Sequence, residues 1–154
     1  MLRDPRLHDR WRQTAVEGDI QSCYPQRAEF LRSARNLKEY EAYRGMFDEL
    51  YADAHVPKSA ASWIGGMQWR AAERGAHQGL SAVDLQICAT AAHHDLVVLH
   101  DDADFVMAAR CAVELRQRNV HEGPLGRVAG QRPFHTGRRR SANALAPSSW
   151  SWEP

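Results

Sequence analysis

Residues 80–110, LSAVDLQICATAAHHDLVVLHDDADFVMAAR, constrain the fold more than any other part of the chain. Val83, Ile87 and Ala91 recur at helical spacing behind Ser81, which predicts a helix over residues 81–93 with one apolar stripe. The run LVVLH that follows is continuously apolar rather than alternating, as expected for a strand covered on both faces. It leads directly into Asp101, Asp102 and Asp104 and a further helix over residues 103–110. Helix, buried strand and helix in this order indicate an α/β domain with a mostly parallel sheet. In such sheets ligands bind beyond the carboxyl ends of the strands, and the three aspartates fall there.

The rest of the chain extends the same pattern. Leu7, Trp11 and Ala15 share a face of a helix over residues 5–17, which Gly18 stops. Residues 19–23 form a short strand candidate. Tyr24-Pro25 opens a second helix with the stripe Ala28, Leu31, Ala34, proline being suited to a first turn. Asn36 is a break and cap before a third helix, where Leu37, Tyr40, Phe47, Leu50 and Tyr51 repeat at helical spacing. A weak strand at 54–57, a Trp-rich helix at 58–74 containing Gly65-Gly66, a loop at 75–79 and a last strand at 118–121 complete the reading.

Charge separates the two ends of the chain. The formal net charge is +1, yet residues 123–154 carry five Arg against one Glu, so +4, leaving −3 for residues 1–122. The chain therefore reads as a slightly acidic domain over 1–122, followed by a disordered, basic, Gly/Pro/Arg/Ser-rich tail over 123–154. That balance makes no general case for nucleic acid or membrane binding. Cys23, Cys88 and Cys111 are odd in number and lack CxxC spacing, which argues against a disulfide framework or a zinc site. No apolar run approaches a membrane span, and the start MLRDPRLHDRWRQ lacks the apolar core of a signal peptide. A cytoplasmic protein is expected.

Four acids are candidates for chemistry, and each has a structural alternative. Asp84 lies three residues after Ser81; S-x-x-D is a capping-box pattern, and an acid in the first helical turn complements the macrodipole. Taken alone, Asp84 is a cap. One of Asp101, Asp102 and Asp104 suffices to cap the next helix. Three acids within four residues repel one another unless a cation compensates, and a hard divalent ion takes oxygen ligands. Metal binding stands slightly ahead of capping on this spacing. Glu29, in YPQRAEFLRSAR, has nothing local to mark it. His93, His94 and His100 are rejected as metal ligands, because no partner lies at ligand spacing; they are expected to serve helix-end carbonyls. Cys88 is expected in the core.

The run L-S-A-V-D-L-Q-I-C-A-T-A-A followed by an apolar strand and H-D-D-A-D-F resembles the third and fourth acidic motifs of PIN-domain ribonucleases. The closest type is the VapC toxins of bacterial VapBC toxin–antitoxin pairs. C-Y-P-Q-R-A-E-F-L-R-S-A-R-N resembles the second motif. The resemblance covers roughly residues 5–122 and is most specific over 84–105. It implies a three-layer α/β/α sandwich and Mg²⁺- or Mn²⁺-dependent endonucleolytic cleavage of RNA. It also implies a cognate antitoxin as partner, and a homodimer. By it, Glu29 matches the second acid, Asp84 the third, Asp102 the fourth and Asp104 a further acid; Asp101 falls where the family is not acidic. Asp84 and Asp102 would hold metal, with Glu29 and Asp104 ligating through water or orienting the nucleophile.

The resemblance also exposes a departure. The family pattern opens with an apolar strand ending in D-x-S-A, whereas MLRDPRLHDRW resembles the helix after it, and Asp4 sits before Pro5 in a polar context. The first strand and first acid are therefore expected to be missing, and cleavage by this chain to be weak or absent. Two functions compete: a metal-dependent ribonuclease toxin, and a catalytically degenerate PIN-like binding protein that keeps antitoxin or dimer contacts.

Overall fold

Leu7 and Trp11, the stripe expected on the first helix, are both buried, and they anchor one face of the fold. In this computed structural model residues 5–124 are described. Helix α1 is Pro5–Val16, and Gly18 ends it with a positive φ of 77°, a conformation glycine adopts without steric cost. Then come strand β1 (Gln21–Ser22), α2 (Tyr24–Leu31), α3 (Leu37–Leu50), β2 (Ala52–Asp53), α4 (Ala60–Glu73), α5 (Ala82–His93), β3 (Val97–His100), α6 (Ala103–Cys111) and β4 (Arg116–Asn119). A 3₁₀ turn, Val120–Glu122, follows β4.

Both β-ladders are parallel: β1 pairs with β2, and β3 pairs with β4 in the register Val97 to Arg116 through His100 to Asn119. Each pair is joined by helices, α2 and α3 in the first and α6 in the second, as parallel strands require. The mostly parallel sheet expected from the sequence is thus two separate parallel pairs, with no described strand bonded to both. β1 and β2 are only two residues long, too short to carry a wider ladder.

β3 has apolar cover on both sides. Val98 joins a core with Met67, Leu85, Cys88 and Phe105, supplied by α4, α5 and α6. Leu99 packs instead against Leu7, Trp11 and Val120. Helices on both faces of β3 give the α/β/α layering that its continuous apolar run predicts. The indole Nε1 of Trp11 donates to the Val120 carbonyl at 2.9 Å, so its one polar atom is satisfied where the ring is buried. Burying each large side chain of this kind contributes about 1.5–3 kcal/mol.

Several expected boundaries move. The strand placed at 54–57 is Ala52–Asp53, and the one placed at 118–121 is Arg116–Asn119. The α3 stripe is not buried along its length: Phe47 is 3% exposed, whereas Leu37 is 70% exposed. Gly65 and Gly66 do not interrupt α4, since Met67 beside them is fully buried and holds the helix to the core. Of the basic tail expected over 123–154, residues 125–154 lie outside the described residues, as does Asp4. Among the described residues no helix is long and apolar enough to cross a membrane.

Candidate metal centre

Asp84 is the third residue of α5, and both halves of the capping box form. Ser81 Oγ accepts from the Asp84 N–H at 3.2 Å, while Asp84 Oδ2 accepts from the Ser81 N–H at 3.0 Å and from the Ser81 hydroxyl at 2.7 Å. The half-buried carboxylate is thereby fixed through one oxygen.

Asp102 caps α6, its Oδ1 accepting the Asp104 N–H at 2.9 Å. Its own N–H donates to Nδ1 of His100 at 3.1 Å. Asp104 lies in the first turn of α6 and packs against Gly79: a Cβ there would stand 3.2 Å from Asp104 Oδ1 and 3.3 Å from Met107 Cε. Glycine thus lets the loop before α5 close on Asp104. Glu29 is exposed on α2 and lines a groove of about 300 Å³ with Tyr24, Ala28, Arg32, Val83 and Gln86. Val83 and Gln86, on either side of Asp84 in the sequence of α5, line the Glu29 groove, and Gly79, three residues before α5, makes the Asp104 contact.

The segments that carry Glu29, Asp84 and Asp104 are thus in contact with one another. Among the described residues, however, no three His, Cys, Asp or Glu side chains converge closely enough to hold a metal ion. The donor chemistry is that of a hard cation, all carboxylate oxygen with no thiolate or imidazole. Asp101 points elsewhere, with its Oδ1 3.2 Å from Nε2 of His121.

His93 and His94 end α5 as expected, and His94 meets a carbonyl, whereas His100 has a different role. His94 Nε2 lies 2.9 Å from the carbonyl of His55, and its ring meets those of His55 and His93 edge-on at 4.8 and 4.9 Å. Its carbonyl partner belongs to the loop after β2 rather than to its own helix. His100 meets no helix-end carbonyl: it is 5% exposed at the end of β3, with Nε2 2.5 Å from Gln117 Oε1 on β4 and Nδ1 accepting from the N-cap of α6. A polar residue closing an apolar strand was the available signal, because a buried ring must find partners.

Sequence reading also missed Arg27. Its guanidinium donates to Ser22 Oγ at 2.7 Å and to the Tyr51 carbonyl at 3.1 Å. It also lies 3.6 Å from Asp53 and 5.8 Å from the centre of the Phe47 ring. It ties β1, β2 and the end of α3 behind Glu29. One turn along α5 from Asp84, the Cys88 thiol is buried, and its pKa is pushed up to about 12, by burial first and by the Asp84 charge second. It is a core thiol, as expected.

No protein-family model matches the chain. Among curated proteins it is similar to Ribonuclease VapC6 of Mycobacterium tuberculosis, from strain CDC 1551 / Oshkosh and from strain ATCC 25618 / H37Rv. In both cases the identity is 51% over 106 residues, covering 69% of this chain and 84% of the relative. The chain belongs to the VapC ribonucleases. That family is the PIN-domain toxin class to which the motifs around Asp84 and Asp102 pointed, and its α/β architecture agrees with the parallel strand pairs and their helical cover. In this VapC member the segments bearing the motif acids lie next to one another, although their carboxylates are not drawn onto one point.

Proposed function

We propose that this VapC protein is a metal-dependent endoribonuclease and the toxin of a VapBC pair, held in check by a cognate antitoxin and acting in the cytoplasm as a homodimer. Asp84 and Asp102 would hold a divalent cation, Mg²⁺ or Mn²⁺, and Glu29 and Asp104 would bind it through water or orient the nucleophile. The observation that supports this reading is the packing of the elements around Asp84: Val83 and Gln86 of α5 share a groove with Glu29 of α2, and Gly79, in the loop before α5, meets Asp104 of α6. When bound, the cation neutralises charge developing on phosphoryl oxygens and acidifies water.

The side chains have separable tasks. Asp84 is pre-oriented by its bonds to Ser81, and Asp102 by its bond to the first turn of α6. Glu29 and Asp104 orient the attacking water and take up its proton. Arg32, exposed beside Glu29, supplies a cation for an RNA phosphate. Exposed Leu37, Tyr40 and Leu50 on α3 supply apolar area for a second copy.

One observation favours a second reading, a PIN-like binding protein without chemistry that retains antitoxin or dimer contacts: no three candidate ligands converge among the described residues. Titration of the full chain with Mn²⁺, followed by loss of the free-ion EPR signal, separates the two. The nuclease reading expects saturable binding that Asp84→Asn and Asp102→Asn each weaken at least tenfold. Binding absent from the wild type, or unchanged in both variants, favours the binding protein.

A further inference from the structure

The bonds around His100 give its two ring nitrogens opposite roles. A backbone N–H can only donate, so Nδ1, which meets the Asp102 N–H at 3.1 Å, must be the unprotonated nitrogen. The ring proton is then on Nε2, where it is donated to Gln117 Oε1 at 2.5 Å. The ring is 5% exposed and packs beside Phe105 with centroids 5.3 Å apart, so it is held in place as well as bonded at both ends. β4 supplies Gln117 through the parallel ladder that pairs His100 with Asn119.

We propose that His100 is a positioning residue for Asp102, transmitting the fixed geometry of the β3–β4 pair to the acid through a Gln117–His100–Asp102 hydrogen-bond relay. The Asp102 backbone is gripped from below by Nδ1, while its carboxylate is gripped from above by the Asp104 N–H at 2.9 Å. Together the two bonds define where the carboxylate stands at the end of β3. The carboxylate is exposed, so packing alone does not set its orientation. Partners that orient a metal ligand typically affect metal affinity by ~10–100-fold. The proposal rests on the reading of Asp102 as a ligand, and its test is arranged so that the two fail separately.

Two substitutions divide the functions of the ring. Asn places an acceptor oxygen two bonds from Cβ, where Nδ1 stands; Gln places an amide nitrogen three bonds from Cβ, where Nε2 stands. His100→Asn therefore keeps the acceptor for the Asp102 N–H, and His100→Gln keeps only the donor to Gln117. Two readouts apply to the full chain: NMR of the His100 tautomer with Asp102 amide exchange, and Mn²⁺ affinity. The expected results are an Nε2–H ring and a protected Asp102 amide in the wild type; His100→Asn, which keeps the acceptor but loses the bond to Gln117, is expected to lie between the wild type and His100→Gln in both amide protection and Mn²⁺ affinity. His100→Gln is expected to lose amide protection and to bind Mn²⁺ at least ~10-fold more weakly. If His100→Gln does not fold, Gln117→Ala on β4 is read instead, with a change in the same direction expected in both measurements. An Nδ1–H ring, or equal Asp102 protection in the Asn and Gln variants, overturns the relay. A wild type that binds no Mn²⁺ overturns the ligand reading of Asp102, and the tautomer and amide exchange still decide the relay.

Discussion

Asp84 performs a structural task and is assigned a chemical one, and the two are separable by magnitude. Asp84→Ala removes both bonds onto Oδ2, from the Ser81 N–H at 3.0 Å and the Ser81 hydroxyl at 2.7 Å, and a negative charge at the N-terminus of α5. Losing half of a capping box and its dipole term costs about 1.5 kcal/mol, or about 5–8 °C in Tm for a unit of this size. Asp84→Asn keeps an acceptor oxygen and loses only the charge, about 0.5 kcal/mol, or roughly 2 °C. Against a stability of at least ~5 kcal/mol, even the Ala variant is more than ~99% folded at 25 °C. Capping alone therefore leaves Mn²⁺-dependent RNA cleavage by both variants almost unchanged. A ligand role predicts a loss above ~100-fold in both, exceeding the ~10–100-fold typical of residues that only support a ligand. Calorimetry and a cleavage time course on the same preparations measure the two quantities. A cleavage rate for Asp84→Asn within threefold of wild type, together with the predicted small Tm shift, would reduce Asp84 to a cap and refute the reasoning.

Three other outcomes follow from the same geometry. Arg27→Met breaks the bonds to Ser22 and Tyr51 and the approach to Asp53; a loss of about 2–4 kcal/mol in urea unfolding is expected, with Arg27→Lys recovering less than half because one ammonium cannot reproduce the fork. The raised pKa of Cys88, about 12, favours the neutral thiol in the folded state. Its contribution is complete below the unfolded pKa of ~8.5 and is lost as pH rises toward the folded value, at about 1.4 kcal/mol per pH unit. Wild type should therefore lose more stability between pH 9 and 11 than Cys88→Ala, and parallel pH profiles would refute this. Arg32→Ala, beside Glu29, should weaken RNA binding and lower the slope of log affinity against log salt by about 1; an unchanged slope removes Arg32 from the RNA path.

What the sequence made legible was periodicity and capping, because both are local. Ser81 and Asp84 form the box that their spacing implied, Asn36 caps α3 by accepting from the Glu39 N–H, and Leu7 with Trp11 makes the buried face of α1. β4 was misplaced because Arg116–Asn119 is entirely polar. Its side chains are satisfied by distant partners: Arg116 by Asp95 at 2.8 Å, Gln117 by His100, and Arg118 by the Gly123 carbonyl at 2.6 Å. Such pairings span up to 21 residues and leave no local pattern. β2 shifted because a two-residue strand is defined by its partner β1, not by its own composition. The acids could be named from motifs alone. Their supports depend on contacts that only the fold makes: Gly79 packs against Asp104, and His100, two residues before Asp102, is tied to Gln117 on β4.

The central claim, a divalent-metal ribonuclease built on these acids, is tested most directly by incubating single-stranded RNA with the full chain and Mn²⁺, alongside EDTA and Asp102→Asn controls. The prediction is internal cleavage that is slow, since the carboxylates do not converge among the described residues, and that disappears in both controls. No cleavage with Mn²⁺, or cleavage that persists in Asp102→Asn or in EDTA, would contradict the account.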